Sequence, residues 1–198
     1  MRMKLTLMAV STAILANPAA AFAQTRDFGS AGGFQVAGKA STRDEPGGCI
    51  ALFEYDGPGS TKTTLFRTVK PDHESIVWLT VVNFEWSAKE GETYELSYVF
   101  DDGTYDRSAY GVKNDVIYKG FMAGFPADEF LPTYAKSASL NIYMGDTVVD
   151  KLKLTGSTAG VALFNRCWTW VLGTERAAQA ERDRFKGIPR DPFAKTGN

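Results

Sequence analysis

The chain has 198 residues, and its 22 Lys and Arg against 23 Asp and Glu leave a formal charge of −1 at pH 7. This near-neutral charge argues against a nucleic-acid-binding protein, which needs a basic surface to displace the counterions of the phosphates. The length suits one domain with a substantial core.

The first residues have the three parts of a secretory signal peptide. Arg2 and Lys4 give a positive start, an apolar stretch follows, and Ala21-Phe22-Ala23 places small residues where a signal peptidase reads them. The apolar stretch is shorter than the roughly 20 residues that span a bilayer, which disfavours an uncleaved anchor. We predict a signal peptide over residues 1–23, cleavage before Gln24, and a periplasmic or secreted protein with no later membrane span.

Two cysteines, Cys49 and Cys167, occur in the chain. An isolated pair in an exported protein typically forms a disulfide. The alternative is a catalytic thiol paired with the one histidine, His73, but that residue sits in a polar turn. Although Asp72 and Glu74 flank His73, a second imidazole or thiolate for a metal site is lacking. We predict a Cys49–Cys167 disulfide, no metal and no cofactor.

Beyond the signal, the chain consists of short β-favouring runs separated by turns. Residues 24–33 are polar and glycine-rich, which predicts a flexible lead-in. Because tight turns join most consecutive runs, we expect antiparallel pairing. In the last run, Val148 and Leu152 are predicted to face the core. The predicted strands are Phe34–Ala40, Cys49–Tyr55, Thr61–Val69, Ile76–Trp86, Thr93–Phe100, Tyr105–Val112, Val116–Phe125, Leu140–Met144 and Thr147–Leu154.

Three helical segments are predicted in the second half of the chain. One covers Glu129–Ser137, and another begins at Gly156-Ser157-Thr158 and carries Cys167 near its end. The residues Trp168–Leu172 either extend this helix or form a strand. The third, Thr174–Lys186, is polar with little to bury, and an extended tail follows it. This polar helix is either a solvated appendage or a partner-docking element.

The predicted fold is mainly β: an antiparallel β-sandwich with two short edge helices and a C-terminal polar helix. The disulfide-bridged sandwich domain spans residues 34–173. The polar helix and the extended tail occupy residues 174–198. No internal repeat or linker divides the chain further.

Four acidic residues lie at predicted hairpin ends: Asp101, Asp102, Asp106 and Asp115. Paired carboxylates at such positions could serve glycoside hydrolysis, and their oxygens could hold calcium. Aspartate is also an ordinary residue of tight turns, which accounts for all four. No serine has the strand–turn–helix context of a hydrolase nucleophile. No catalytic residue is therefore assigned.

Aromatic side chains are numerous, and most of them must form the core. Those on alternating strand faces could instead line a surface that binds a peptide, a glycan or another protein. The candidate binding surface consists of Trp86, Tyr94, Tyr98, Tyr105 and Tyr110.

The order of features along the chain is distinctive. An early strand cysteine precedes a β meander, Leu140-Asn141-Ile142-Tyr143 and a hairpin, and Leu154-Thr155-Gly156-Ser157 then opens an Ala-containing helix that ends in Cys167. This layout, from Phe34 to Val171, resembles the invasion-associated locus B family of small exported bacterial proteins. The resemblance implies a periplasmic or secreted β-sandwich with a disulfide, linked in some members to host-cell entry. It brings no catalytic residues with it.

We therefore expect a non-enzymatic binding or envelope-associated protein. Its partner would be an envelope or host protein, a peptide or a glycan, and not a nucleic acid. One alternative is an exported hydrolase that uses carboxylates at the strand ends. Another is an inhibitor of an envelope enzyme that presents the loop Asp56–Ser60. Carboxylates converging in a pocket would favour the hydrolase, and an exposed aromatic patch would favour binding.

Overall fold

The computed structural model describes residues 24–56, 59–70, 72, 75–114 and 118–188. The predicted signal peptide, His73, Asp115 and most of the predicted tail lie outside these residues. Within them, all strands pair antiparallel in one sheet, which confirms the mainly β class. Neither described helix has the length and apolar character that a membrane crossing requires.

Ten strands and two helices make up the described fold. The strands are β1 Thr25–Ala31, β2 Phe34–Lys39, β3 Gly48–Glu54, β4 Lys62–Thr68, β5 Ile76–Asn83, β6 Thr93–Phe100, β7 Gly103–Asn114, β8 Tyr118–Pro126, β9 Ser139–Met144 and β10 Thr147–Lys153. The helices are α1 Ala127–Lys136 and α2 Ser157–Arg184. The order across the sheet is β1-β2-β3-β4-β5-β8-β7-β6-β9-β10.

One face of the sheet, here called the inner face, carries the core. Successive side chains of a strand point to opposite faces, so every second residue shares this face. Val36, Ala51, Leu65 and Leu79 are paired in one row across β2 to β5, and none is more than 1% exposed. The alternating apolar pattern of the sequence therefore directs one continuous surface inward.

The edge strand β10 and the turn that follows it approach the half of the sheet that contains β1 to β4. Thr61, just before β4, donates a hydrogen bond to Asp150 of β10 over 3.0 Å. The turn between β1 and β2 meets the turn before α2, where a Cβ on Gly32 would collide with the backbone oxygen of Gly156. Both residues have positive φ, +59° and +86°, which also favours glycine. One continuous sheet therefore encloses the core.

Both helices pack on the inner face. α1 lies against β5 and β8, and α2 lies against β1, β2 and β3. Cys167 of α2 is bonded to Cys49 of β3, with their Cα atoms 6.1 Å apart, so the predicted disulfide is confirmed. Gly38 of β2 lies beneath the bridge, because a Cβ there would collide with the Cys167 Sγ.

The segment 24–33 is not the predicted flexible lead-in. Its residues form β1, which pairs with β2 along the edge of the sheet. The Phe28 ring packs edge-on against Trp170 of α2 at a centroid distance of 5.6 Å. This partner lies far away in sequence, so local composition gave no sign of the strand.

The second apolar-faced helix and the polar helix are one element, the 28-residue α2, which continues through Gly173. Its polar part contacts the chain's own loop after β2. The Ser41 backbone N–H donates to Thr174 Oγ1 over 2.9 Å, and Arg182 Nη1 donates to the Thr42 carbonyl over 3.1 Å. This part of α2 is therefore docked on its own domain and is not a separate solvated appendage.

Candidate functional site

The structure separates the five predicted binding residues. Trp86 and Tyr94 lie close together, half-buried, at one end of the inner face. Tyr98 is fully buried, so its assignment to a binding surface is wrong. Tyr105 packs against α1, where its hydroxyl lies 3.1 Å from a Thr133 hydroxyl, and Tyr110 is 52% exposed on the opposite face of the sheet.

Trp86 and Tyr94 line an apolar cavity of about 370 Å³, here called the Trp86 pocket. It lies between the loop that follows β5 and the β9–β10 hairpin. Met144 and Val148 on that hairpin are 48% and 45% exposed, although both are apolar. The pocket is therefore an open apolar concavity. Its apolar walls are formed by Trp86, Ala88, Tyr94, Leu96, Phe121, Met144, Val148 and Val149.

The floor of the Trp86 pocket is continuous with the core. The indole of Trp86 stacks on Phe121 with a centroid distance of 5.4 Å and an interplanar angle of 11°. Tyr98 lies behind Phe121 and meets both it and Phe125 edge-on. Burial raises the pKa of the Tyr98 hydroxyl, which has no hydrogen-bond partner among the described protein groups. Aromatic packing therefore fixes the orientation of the Phe121 ring and of the Trp86 indole stacked on it.

A buried chain of hydrogen bonds holds the two walls together. Asn83, at the end of β5, donates from Nδ2 to Thr61 Oγ1 over 2.9 Å, and Thr61 donates to Asp150 of β10. The Asn83 Oδ1 accepts the Glu85 backbone N–H over 2.8 Å. Since Asn83 and Thr61 are only 5% and 6% exposed, this chain ties the loop carrying Trp86 to the strand carrying Val148.

A β-bulge shapes the hairpin wall. The register of β10 against β9 shifts between Val148 and Asp150. Because this bulge adds one residue to β10, Val148 does not point to the same face of the sheet as Asp150 and Leu152. Asp150 is paired with Ile142, and its side chain reaches Thr61. Leu152 is buried as predicted, but the prediction that Val148 faces the core is wrong because the bulge leaves it at the pocket.

Charged residues lie at the rim. The Tyr94 hydroxyl accepts the Lys89 backbone N–H over 2.9 Å and donates to the Glu92 carboxylate over 3.1 Å. Hydrogen bonds to the Glu92 carboxylate lower its pKa, the one from Lys89 having the larger effect and the one from Tyr94 the smaller. The same contact with Glu92 raises the pKa of Lys89. These bonds occupy the Tyr94 hydroxyl and leave its ring to line the pocket. Glu85 is the charged residue in the lining itself.

The acidic residues at hairpin ends have structural partners. Asp101 accepts hydrogen bonds from the Ala138 backbone N–H and the Ser139 hydroxyl, and Asp106 accepts one from the Ser97 hydroxyl. Among the described residues, no group of three or more His, Cys, Asp or Glu side chains is placed to hold a metal ion. Turn and strand contacts thus account for Asp101 and Asp106.

The four hairpin residues of the pocket, Met144, Thr147, Val148 and Val149, are absent from the predicted binding surface. Met144 and Val148 stand on either side of the Gly145-Asp146 turn, and apolar residues flanking such a turn were a usable signal. Phe121 belongs to β8 and reaches Trp86 only through the β5–β8 pairing, which places these strands side by side. That contact depends on the strand order and could not be read from either segment alone.

Two further concave surfaces occur in the described part of the chain. A groove of about 430 Å³ between α1 and α2 includes Arg67, whose guanidinium lies 4.1 Å from the Trp168 ring. A depression of about 400 Å³ on the face of the sheet opposite the inner face includes Ile50 and Phe66. Neither lining contains a pair of stacked aromatic rings, as the Trp86 pocket does with Trp86 and Phe121.

Comparisons of the chain with protein-family models, curated proteins and solved structures find no match. The geometry of the Trp86 pocket is therefore the main basis for a functional hypothesis.

Proposed function

We propose that this chain is an exported, non-enzymatic binding protein that holds an apolar group of its ligand in the Trp86 pocket. The observation that carries the proposal is an aromatic-floored cavity whose walls are joined through Asn83, Thr61 and Asp150. Its volume of about 370 Å³ is within the range of ligand pockets, roughly 300–1,000 Å³. Removing apolar ligand surface from water there would supply the main driving force.

Export is part of the proposal. The first residues have the organisation of a signal peptide, and the Cys49–Cys167 bridge suits an oxidising compartment. The resemblance to the invasion-associated locus B family agrees with both features and suggests an envelope or host molecule as the source of the ligand. A peptide side chain and the apolar part of a glycoconjugate both fit the proposed chemistry.

The two alternative functions have less support. A carboxylate-dependent hydrolase needs free acidic groups that converge on a cavity, whereas Asp101 and Asp106 accept hydrogen bonds from strand partners. An inhibitor that presents the loop Asp56–Ser60 would depend on Gly57 and Pro58, which lie outside the described residues. The pocket favours neither alternative.

The binding proposal can be tested with the neutral fluorescent probe N-phenyl-1-naphthylamine, whose emission rises in apolar surroundings. We expect saturable binding to the mature protein, and a loss of affinity of about tenfold or more in Trp86→Ala and in Val148→Asp, which corresponds to about 1.4 kcal/mol or more. Phe84→Ala is the matched control, because Phe84 is 50% exposed and does not line the pocket. Equal affinity in all four proteins would refute the assignment of the pocket.

A further inference from the structure

Gln24 stands at the start of the described fold. It immediately precedes β1, and its carbonyl accepts a hydrogen bond from the Ala40 backbone N–H over 2.9 Å. The next residue, Thr25, is paired with Lys39 of β2. Gln24 is itself exposed. The predicted cleavage before Gln24 would therefore create a new α-amine directly beside the first pairing of the edge strand.

We propose that the mature chain begins with pyroglutamate formed from Gln24. This inference rests on the proposed export, because Gln24 has a free α-amine only after residues 1–23 are removed. The unprotonated α-nitrogen attacks the side-chain amide carbon Cδ, and a new N–Cδ bond closes a five-membered lactam. The bond from Cδ to the amide nitrogen breaks, and that nitrogen leaves as ammonia with a proton from the amine. The reaction needs no oxidant or second substrate.

The position of Gln24 is compatible with this ring closure. The reaction uses the α-nitrogen and the side chain, both at an exposed residue. The Gln24 carbonyl is not consumed, so its hydrogen bond with Ala40 is retained. Cyclisation therefore requires no change in the pairing of β1 with β2.

The lactam has two consequences at this edge of the sheet. It removes a positive charge near Arg26 and beside the pairing of Thr25 with Lys39, which lessens like-charge repulsion there. It also removes the free amine that aminopeptidases require. Trimming of β1 would detach Arg26 and Phe28 from Trp170, contacts now made at 5.9 and 5.6 Å. The modification would thus protect the strand that covers the edge of β2.

The experiment is expression of the full chain, with its own first 23 residues, in a Gram-negative bacterium, followed by purification and intact-mass measurement under reducing conditions. We expect the mass of residues 24–198 less one ammonia, and no residue released by N-terminal sequencing. After unfolding and treatment with pyroglutamyl aminopeptidase, sequencing should begin at Thr25-Arg26-Asp27. Gln24→Glu is the matched control: glutamate cyclises far more slowly, so this variant should be sequenced directly from residue 24.

The outcomes separate this inference from the proposed export. A mass equal to residues 24–198 with no ammonia lost, after prolonged incubation at neutral pH, would overturn cyclisation and leave export intact. A chain cleaved at another bond would overturn the assignment of Gln24 as the first residue. A chain that retains residues 1–23 in the cytoplasm would overturn both proposals.

Discussion

Two regions of the inner face, the cluster under α1 and the Trp86 pocket, differ in what covers them, although β6 and β8 contribute side chains to both. The helix-covered cluster consists of Phe100, Phe125, Phe130 and Tyr134, where the Phe125 and Phe130 rings stack at 4.2 Å. In β8, Phe121 of the Trp86 pocket lies four residues from Phe125, or about 13 Å along the strand. The apolar face continues over this distance, but α1 covers only the part near Phe125.

The difference comes from the segment that each strand leads into. β8 leads directly into α1 at Ala127, so the apolar helix face with Phe130 folds back over the end of that strand. β5 leads instead into a loop from which Trp86 alone reaches back to stack on Phe121. The part of the inner face that α1 covers is thus buried as core. The part near Phe121, which only the Trp86 indole covers, remains an open pocket.

The largest expected effect is in the helix-covered cluster. Phe130→Ala removes a fully buried ring that contacts several other aromatic rings, and we expect a loss of about 3–5 kcal/mol in the free energy of unfolding. Urea denaturation followed by circular dichroism measures this. Phe84→Ala, at a 50% exposed site, should change it by less than about 0.5 kcal/mol. Similar losses in both variants would mean that α1 does not seal this region.

Removing the disulfide tests whether the Trp86 pocket depends on the attachment of α2 to the sheet. Replacing Cys49 and Cys167 together by Ser should cost about 2–5 kcal/mol, since the bridge closes a loop of 118 residues in the unfolded chain. We expect the double Ser variant to have a lower Tm than the unaltered protein, and reductant should not change the Tm of the variant. Reductant should lower the Tm of the unaltered protein to the value of the variant. The folded variant should still bind N-phenyl-1-naphthylamine. Loss of binding would show that the bridge supports the pocket.

The hydrogen-bonded link between the pocket walls is the next test. Asn83→Ala removes the donor to Thr61 Oγ1 and the acceptor of the Glu85 backbone N–H, and we expect a cost of about 1–3 kcal/mol together with weaker probe binding. Ser97→Ala is the control, because it removes a hydrogen bond to Asp106 away from the pocket. Chemical denaturation and the probe titration check the two effects. Unchanged probe binding in folded Asn83→Ala would show that the link does not position the walls.

The smallest effect is expected at Tyr98, which lies between the two regions. Tyr98→Phe keeps the ring and removes a buried hydroxyl that has no described protein partner, so stability should be unchanged or rise by up to about 1 kcal/mol. Tyr105→Phe removes a hydroxyl that contacts Thr133, and should cost about 0.5–1.5 kcal/mol. Denaturation of both variants gives the comparison. A marked loss in Tyr98→Phe would reveal a polar partner for this hydroxyl.

Sequence patterns predicted the local features of this fold well. The β9–β10 hairpin, the strand that carries Cys49 and the helix that carries Cys167 follow from alternation, turn residues and cysteine usage. Tyr94 and Tyr98 show the limit of such patterns. Both lie on the same strand face, yet Tyr98 is fully buried while Tyr94 lines a pocket. Alternation assigns the face, but the depth of burial depends on which distant element covers it.

The other wrong predictions also concern features that depend on contacts between distant parts of the chain or on local irregularities of the strands. β1 is held by pairing with β2 and by Trp170, neither of which its own composition reveals. The exposure of Val148 follows from a bulge, which adds one residue to a strand without a strong sequence signal. The predicted boundary at Gly173 is wrong because tertiary contacts on both sides keep the helix continuous despite the weak helix propensity of glycine.

The meeting of Gly32 with Gly156 has a consequence for how this architecture can vary. Each residue already has the smallest side chain, so a larger residue at one position cannot be accommodated by shrinking the other. Related sequences that close their sheet in this way should therefore keep both glycines together, or lose both along with the turn geometry. The residues that line the Trp86 pocket take no part in this contact, so they can vary while the Gly32–Gly156 contact stays the same.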